Sequence, residues 1–407
     1  MVQFKTHRSA GESAKVPTVA ILMDPWHTWH HQMLHGIAGY RDTHARWNIV
    51  MPYLRNISAD LQVLGKMHLH GLIIADYMDH SVVQWPQLYE VCRRLHLPVV
   101  LAATAATCPG FCQVLPDDIA VGKLAAEHLR LQGFRKFGFY GGNMAFARAR
   151  LEGFRSALAK TGCNCSVLLP DKIEWNQMYP NQQSKALELW LQKLPRPVAI
   201  MGCSDLWARQ VSDACHRLGL RIPEDIALVG VNNSQAMCEL IDPPLTSIPL
   251  NLPRIGFVAA ELLDAAMHGQ PLVPESVPVA PLQLVVRHSS NILAVDDPDI
   301  AEAARFIREK AVSSIRVDDV LNVVRISRRK LELGFQRTFG RTPQKEIWRV
   351  RVEHAKALLE HTSGKMARIA AQSGFSNAGR LTLIFRKETG MSPHAWRIRH
   401  RENNTMP

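Results

Sequence analysis

Short apolar runs alternate with amphipathic segments along roughly the first 290 residues. Runs rich in branched apolar residues predict buried strands, and apolar residues spaced three or four positions apart predict helices. The predicted strands cover residues 19–23, 47–51, 71–75, 98–102, 136–140, 198–201 and 226–231. The predicted helices cover residues 29–41, 58–66, 84–95, 118–131, 150–161, 182–193 and 205–218.

This alternation predicts parallel sheets, because parallel strands need long crossovers that place helices on the sheet. There are more units than one sheet of ordinary size holds, so two α/β lobes are the more economical arrangement. In such folds ligands bind at the carboxyl ends of the strands. Asp24, Trp26 and Asp76 follow predicted strands of the first lobe. They either bind a ligand or cap the ends of these strands.

The last quarter of the chain contains an internal duplication. The segment 339–343 (FGRTP) recurs fifty positions later as 389–393 (TGMSP). In each copy a short helix precedes a tight turn, and a serine in the N-cap position opens a second helix. Two helix-turn-helix motifs are therefore predicted, at 317–338 and 366–388, with an amphipathic helix over 344–361 between them.

Charge separates the same two parts of the chain. Residues 300–407 contain 22 of the 48 Lys and Arg and 10 of the 36 Asp and Glu, so the whole formal charge of +12 lies there. A neutral body with a basic C-terminal module predicts that the module binds a polyanion, either nucleic acid or a membrane surface. Because no apolar run approaches the roughly 18 residues of a spanning helix, we expect a cytoplasmic protein that does not enter a membrane.

Two blocks of the body carry a resemblance to a known family. The first comprises 133–142 (GFRKFGFYGG) and 150–154 (RLEGF); the second comprises 203–206 (CSDL), 219–233 (GLRIPEDIALVGVNN) and 244–248 (PLTSI). In order and spacing these blocks resemble the effector-binding core of lactose-repressor-type regulators, over about residues 17–290. The resemblance implies a periplasmic-binding-protein fold, with two lobes joined by three crossovers that close on a sugar or a nucleobase. The family's N-terminal DNA-binding headpiece has no counterpart here.

The same resemblance assigns effector-binding residues in the second lobe. By motif position these are Arg150, Asp205 and Asn232. The guanidinium of Arg150 would donate to two sugar hydroxyls and the carboxylate of Asp205 would accept from one. Asn232 stands where many sugar-binding relatives carry Asp, so the identity of the sugar is left open.

The C-terminal module resembles the AraC/XylS-type DNA-binding domain. The resemblance rests on 351–359 (RVEHAKALL), 369–376 (IAAQSGFS) and 385–393 (FRKETGMSP). It departs from the family at Arg325, where a glycine is usual in the first turn, and at Gly379 near the start of the second recognition helix. An arginine held in a left-handed conformation costs roughly 1 kcal/mol.

We call the effector-binding part of the chain the sensor and the DNA-binding domain the reader. A sensor followed by a reader of the AraC/XylS type resembles the XylR-type xylose-responsive activators. The implied fold is an α/β two-lobed periplasmic-binding-protein-like sensor followed by an all-α domain with two helix-turn-helix motifs. The predicted organisation is an N-terminal tail (1–16), the sensor (17–290), a linker (291–299), the DNA-binding domain (300–401) and a C-terminal tail (402–407). Residues 297–300 (DPDI) fit the start of a helix that docks the reader onto the sensor, with a capping Asp and a Pro at its first position.

The resemblance also implies the partners. These are double-stranded DNA with tandem half-sites, a sugar effector such as D-xylose or a related pentose, a second copy of the chain, and RNA polymerase if the protein is an activator. A repressor, or a regulator that responds to a different sugar or to a nucleobase, is an alternative reading of the same motifs. A sugar-binding enzyme or carrier with a basic appendage is a further alternative.

Basic residues on the recognition helices are the predicted DNA contacts. Arginine suits a bidentate contact with guanine and asparagine a contact with adenine, although most contacts to DNA go to phosphates. The predicted readers of base edges are Arg328, Arg329, Lys330, Asn377 and Arg380. The residues predicted either to contact phosphates or to lie on the solvated face are Arg337, Arg341, Arg386 and Lys387.

The sequence gives little support for a metal site, a cysteine-based motif or a catalytic site. His27, His31 and His35 recur at four-residue spacing beside His30, but no carboxylate or cysteine accompanies them, so a metal site is disfavoured. The eight cysteines lack the spacing of zinc or redox motifs and are expected to be free thiols. No catalytic motif is present, so neither an enzyme nor a cofactor is expected.

Overall fold

A computed structural model describes most of the chain. The described residues are 16–23, 28–52, 66–75, 90, 93–94, 96–103, 110–170, 185–292, 295 and 297–404. The chain divides into two compact units: residues 1–116 with 252–279, and residues 117–251 with 280–407. The chain thus passes from one unit to the other three times, after residues 116, 251 and 279. The helical C-terminal region belongs to the second unit.

The first unit contains a six-stranded parallel sheet with strand order β11-β5-β4-β3-β1-β2. Its middle strands are fully buried, as their continuous apolar sequences predict. The strands are β1 (Thr18–Leu22), β2 (Asn48–Val50), β3 (Gly71–Ala75), β4 (Val99–Ala102), β5 (Cys112–Pro116) and β11 (Ser276–Val279). Two helices of this unit pack against each other, α1 (Thr28–His44) and α7 (Leu252–Met267).

The second unit contains a five-stranded parallel sheet with strand order β10-β9-β8-β6-β7. If the five strands of this sheet are numbered 1 to 5 in chain order, the sheet order is 5-4-3-1-2. Strands β1 to β5 of the first unit have the same order. The strands are β6 (Phe137–Tyr140), β7 (Cys165–Leu168), β8 (Val198–Gly202), β9 (Ile226–Val231) and β10 (Thr246–Ile248). The helices of this part are α2 (Asp118–Leu131), α3 (Ala145–Ala159), α4 (Lys185–Lys193), α5 (Asp205–Arg217) and α6 (Gln235–Leu240).

Helices α2 and α3 make backbone-to-backbone contact at two glycines. A Cβ atom on Gly122 would lie 2.0 Å from the carbonyl oxygen of Arg150, and one on Gly153 would lie 2.0 Å from that of Ile119. Real Cβ atoms do not come this close, so only glycine permits the contact. The contact fixes where Arg150 stands relative to the first turn of α2.

Seven helices form the C-terminal region. They are α8 (Pro298–Lys310), α9 (Val317–Val324), α10 (Arg328–Phe339), α11 (Pro343–His361), α12 (Met366–Gln372), α13 (Ala378–Thr389) and α14 (Pro393–Asn404). Asp297 caps α8 by accepting from the backbone nitrogens of Asp299 and Ile300, and Pro298 is its first residue, as predicted.

The duplication is visible in two separate cores. One is built on α8 to α10 and contains Leu331 and Phe335 among its buried residues. The other is built on α11 to α13 and contains the equivalent Leu381 and Phe385. Helix α11 contributes to both cores through Ile347 in the first and Val352, Ala355 and Leu359 in the second. It therefore joins the two helix-turn-helix motifs.

Several predicted bounds in this region need correction. Helix α8 begins inside the predicted linker (291–299), because Asp297 and Pro298 supply its cap and first turn. The recognition helices end at Phe339 and Thr389, one residue beyond the motifs predicted over 317–338 and 366–388, and α11 begins at Pro343 rather than 344. Helix α14 continues to Asn404, so part of the predicted tail (402–407) is helical.

The turns of the two motifs use left-handed residues at equivalent places. Arg325, which ends α9, has φ +52°, so the expected departure from glycine is present as a left-handed arginine. Gly374, its equivalent after α12, has φ +76°. None of the described helices has the length and apolar character that crossing a membrane requires.

Candidate effector site and DNA-binding interface

Three predicted effector-binding residues lie at one edge of the second sheet. Arg150 is on α3, which follows β6; Asp205 is the first residue of α5, which follows β8; Asn232 comes directly after β9. Because these strands are parallel neighbours, their carboxyl ends meet at one edge. The structure thus brings the three residues together.

The guanidinium of Arg150 is buried and bound to protein groups. Its Nε donates to Asp118 Oδ1 at 2.7 Å, and an Nη donates to the carbonyl oxygen of Cys203. The guanidinium carbon lies 4.9 Å from the ring centre of Phe146. Burial raises the pKa of Asp118, although the charge and hydrogen bond of Arg150 oppose this shift. Arg150 therefore joins α3, α2 and the end of β8.

The carboxylate of Asp205 is likewise buried and accepts hydrogen bonds from neighbouring segments. Oδ1 accepts from Ser247 Oγ at 2.5 Å, and Oδ2 accepts from the backbone nitrogen of Ser234 at 2.8 Å. Burial raises the pKa of Asp205 to about 6, although these hydrogen bonds act in the opposite direction. Asp205 thereby holds the loop after β9, on which Asn232 stands.

Asn232 has an unusual backbone and an unsatisfied side chain. Its φ is +107°, and its backbone nitrogen donates to the carbonyl oxygen of Ile248 at 2.8 Å. Its Oδ1 is buried and has no hydrogen-bond partner among the described residues, and the same holds for Asn233. A buried amide oxygen without a partner is costly. Asn232 consequently has a buried polar atom that is left for an effector.

The candidates of the first lobe lie outside the described residues. These are Asp24, Trp26 and Asp76. His27 is also outside them, while His30 is buried and His31 and His35 are exposed. No group of three metal-ligating side chains occurs in the described ranges. The six cysteines within those ranges are free thiols.

The end of helix α2 contacts the helical region of the same unit. Arg130 donates to the carbonyl oxygen of Phe339, the last residue of α10, at 3.2 Å. From the other side, Arg308 of α8 donates to Gln132 Oε1 at 2.5 Å and to the carbonyl oxygen of Leu131 at 2.6 Å. These hydrogen bonds connect the sensor to the DNA-binding region.

A buried carboxylate lies beside this contact. Glu346 of α11 is 1% exposed and pairs with Arg349 at 2.8 Å, Arg341 at 3.4 Å and Arg308 at 3.9 Å. Burial raises its pKa, but the hydrogen bond of Arg349 and the charges of the three arginines outweigh burial and leave the pKa below its usual value. Arg341, predicted to contact phosphate, is therefore mostly buried against Glu346.

His128 of α2 lies at the same contact. Its Nε2 is 2.8 Å from Ser290 Oγ. Burial and the positive charges of Arg308 and Arg349 lower its pKa to about 4. The imidazole is neutral at physiological pH as a result.

Two residues of the first recognition helix, α10, that are predicted to contact base edges are paired with acidic residues. Its N-cap is Ser327, which accepts from the backbone nitrogen of Lys330, as predicted. Arg328 lies 3.3 Å from Asp318, and the ammonium of Lys330 lies 2.5 Å from Asp299 at the start of α8. Lys330 is thus paired with the docking helix, and its contact with base edges stays a prediction.

The second recognition helix, α13, is capped by a different residue. Asn377 rather than the expected serine is its N-cap, and Oδ1 of Asn377 accepts from the backbone nitrogen of Arg380 at 2.8 Å. This use of the amide oxygen competes with the predicted adenine contact. The guanidinium of Arg380 lies 5.5 Å from the ring centre of Trp348.

Besides the residues above, four further predicted DNA contacts are exposed on the two recognition helices. They are Arg329, Arg337, Arg386 and Lys387. The side chains of Arg329 and Lys387 form no ion pair within the part of the chain that the structure describes. Exposed cations of this kind are available for phosphates or base edges.

Sequence reasoning missed two groups of residues. Asp118, Ser247 and the amide of Ser234 hold the predicted effector residues, but their pairing across 29 to 42 positions has no local signal. Leu333 and Leu383 are exposed on the recognition helices. The internal repeat could have identified these two leucines, because they are fifty positions apart.

Comparisons with known proteins match both parts of the chain. Residues 126–290 match the model of a periplasmic binding protein-like domain, and residues 320–399 match a helix-turn-helix domain. The Xylose operon regulatory protein of Haemophilus influenzae is 24% identical over 93% of this chain and 98% of its own length. That of Escherichia coli K12 is 25% identical over 93% and 96%.

Solved structures agree in fold. The structure described as the xylose-binding transcription activator XylR covers 95% of this chain with a TM-score of 0.57 and 24% identity, and 98% of its own chain is covered. The match includes the sensor and the reader in the same order. The chain is a helix-turn-helix transcription regulator. A complex of the regulator CelR with cellobiose covers 67% of this chain and 84% of its own, with a TM-score of 0.52 and 21% identity.

Proposed function

We propose that this regulator activates genes of sugar catabolism in response to xylose or a related pentose. The sugar binds at the strand-end edge that carries Arg150, Asp205 and Asn232, and its binding changes how the two recognition helices engage DNA. The observation that carries the proposal is the similarity to xylose operon regulatory proteins along 93% of the chain, through sensor and reader alike.

The strand-end edge supports a neutral polyhydroxy ligand. Arg150 is paired with the carboxylate of Asp118, and Asp205 accepts from the hydroxyl of Ser247 and the backbone nitrogen of Ser234. Asn232 contributes a buried amide oxygen that lacks a partner among the described residues. A sugar hydroxyl that donates to this oxygen would remove the cost of leaving it unsatisfied.

Helix α2 supports a route from this edge to the reader. Its first residue, Asp118, pairs with Arg150, and its last turn contacts α8 and α10 through Arg130 and Arg308. A 14-residue helix moves as a rigid element of about 20 Å. A sugar that prefers one position of α2 thereby shifts the position of the reader, because only differential affinity for the two states couples the sites.

The partners follow from the same proposal. Two motifs joined by α11 enter successive major grooves, about 34 Å apart, so that one chain covers one half-site. A homodimer on tandem half-sites reaches useful affinity by linkage. As an activator on cytoplasmic DNA, the dimer contacts RNA polymerase.

The sensor part of the proposal is tested by calorimetry on the full-length chain with xylose, other pentoses, hexoses and nucleobases. Asn232→Gly is the informative variant, since glycine removes the amide and also suits the φ of +107°. We expect one pentose to bind, the variant to lose about tenfold in affinity, and its melting temperature to stay equal or rise.

Asn232→Asp is the matched variant, because it keeps the shape of the side chain and its acceptor oxygen. It is expected to bind the pentose with at least the affinity of Asn232→Gly. Binding of a nucleobase in place of a pentose would overturn the sugar assignment, and wild-type affinity in Asn232→Gly would remove Asn232 from the site.

A further inference from the structure

Each recognition helix exposes one large apolar side chain at the same position of the repeat. Leu333 of α10 is 46% exposed and Leu383 of α13 is 60% exposed. They are fifty positions apart, the offset that relates the core residue Leu331 to Leu381. Other exposed apolar residues of the region lack this symmetry: Val323, for example, has Gln372 as its counterpart.

Both leucines lie on the helix face opposite to the core. In the first copy Leu331 and Phe335 are fully buried, and Leu333 lies midway between them in sequence. At about 100° per residue, it is rotated roughly 160° from each of these two residues. The same geometry holds for Leu383 between Leu381 and Phe385. Neither leucine contributes to the core of its motif.

Cations flank the leucines on this outward face. Arg329 and Arg337 are four residues before and after Leu333, and Lys387 is four residues after Leu383, so each lies on the same side of its helix. These three side chains are exposed. A single aliphatic group framed by cations fits a polyanion that presents an isolated apolar group, and fits a broad apolar protein surface poorly.

We propose that Leu333 and Leu383 each contact the 5-methyl group of a thymine in the major groove. This inference rests on the proposed DNA-binding function and adds a specificity determinant to it. The thymine methyl is the apolar group on base edges there, and an aliphatic side chain has no donor or acceptor with which to read anything else. The two leucines therefore set a thymine preference at equivalent positions of the two grooves that one chain occupies.

The test uses the full-length chain and a duplex selected by it from a randomised library. Each thymine of that duplex is replaced in turn by deoxyuridine, which lacks only the 5-methyl group. We expect two sensitive positions, one per groove, where the replacement weakens binding by about fourfold, as for one methyl group removed from contact.

Two variants assign the positions. Leu333→Ala is expected to bind the thymine duplex about fourfold more weakly and to lose its sensitivity to deoxyuridine at one position, and Leu383→Ala to do so at the other. The control is Leu189→Ala, because Leu189 has the same 46% exposure but lies on α4 of the sensor. This control is expected to keep both sensitivities.

Other outcomes would overturn the inference. If both leucine variants bind the selected duplex like the wild type and keep its sensitivity to deoxyuridine, the leucines do not read thymine, while DNA binding itself stands. If they bind DNA normally but lose self-association in sedimentation, the leucines face a second copy of the chain. If the wild type selects no sequence, the proposed function fails together with the inference.

Discussion

The guanidinium of Arg308 binds the residues that follow helix α2, with Nη1 2.5 Å from Gln132 Oε1. Arg308 belongs to α8 of the reader, and α2 begins at Asp118 beside Arg150. This bond is one of the contacts through which the proposed shift of α2 would reach the DNA-binding region.

Arg308→Ala is therefore expected to uncouple sugar from DNA. Sugar affinity and DNA affinity should each stay within a few-fold of the wild type, while the change in DNA affinity on adding sugar should disappear. Titrations of DNA with and without sugar check this. The matched control is Arg305→Ala, an exposed arginine on the same helix with no ion pair in the described ranges. Equal coupling in both variants would show that Arg308 does not transmit the signal.

Glu346 is expected to be essential for the stability of the reader. Glu346→Gln leaves Arg308, Arg341 and Arg349 buried or half-buried around a neutral group, which costs about 3–5 kcal/mol of the free energy of unfolding. Glu353→Gln is the control, since Glu353 is half-exposed and pairs with Lys356 on the surface, a pair that contributes less than about 1 kcal/mol. Urea unfolding measures both, and equal losses would contradict the argument.

Because the turns of the two motifs contain left-handed residues, substitutions at Arg325 and Gly374 are expected to change stability in opposite directions. Arg325→Gly is expected to stabilise the protein by about 1 kcal/mol, because glycine adopts φ +52° without strain. Gly374→Ala is expected to destabilise it by more than this, since its Cβ would lie 2.8 Å from the carbonyl oxygens of Ala311 and Val312. Melting temperatures test the pair. A less stable Arg325→Gly would mean that the arginine side chain contributes more than its backbone costs.

His128 predicts a loss of stability on mild acidification. Its pKa is lowered to about 4 from an ordinary value of 6.5, so between these values the unfolded chain binds a proton that the folded chain does not. Stability therefore rises with pH across this window, by up to about 3 kcal/mol. Asp205 acts in the opposite sense between its ordinary 3.8 and about 6, because its pKa is raised.

Comparison of the wild type with a variant isolates the contribution of His128 to the pH dependence of stability. Free energies of unfolding are measured between pH 5 and 8 for the wild type and for His128→Gln. The difference between them should grow in favour of the variant as the pH falls below about 6.5. Parallel pH profiles would show that His128 is not held neutral at the contact between sensor and reader.

Much of the fold could be predicted from local sequence patterns. Strands β3 and β9 have continuous apolar sequences and were predicted at their observed bounds, as was helix α2. Strands β7 and β11 were missed because they are partly exposed and carry Ser or Pro among few apolar residues. Helix α7 was also missed, although most of its residues are apolar.

The site was predictable only in part. Motif position placed Arg150, Asp205 and Asn232 at one strand-end edge, but their protein partners come from distant segments. The pairing of Lys330 with Asp299 spans 31 positions, so the sequence pattern of α10 alone could not reveal it. Asp24, Trp26 and Asp76 lie outside the described residues and stay predictions.

The most direct test of the account is the affinity of the full-length chain for its selected duplex with and without saturating xylose, measured at one fixed salt concentration. The account predicts that xylose changes the dissociation constant by at least about fivefold, and that Arg308→Ala abolishes the change. An identical dissociation constant in both conditions, with xylose binding demonstrated by calorimetry, would contradict the claim that this sensor controls the DNA-binding region.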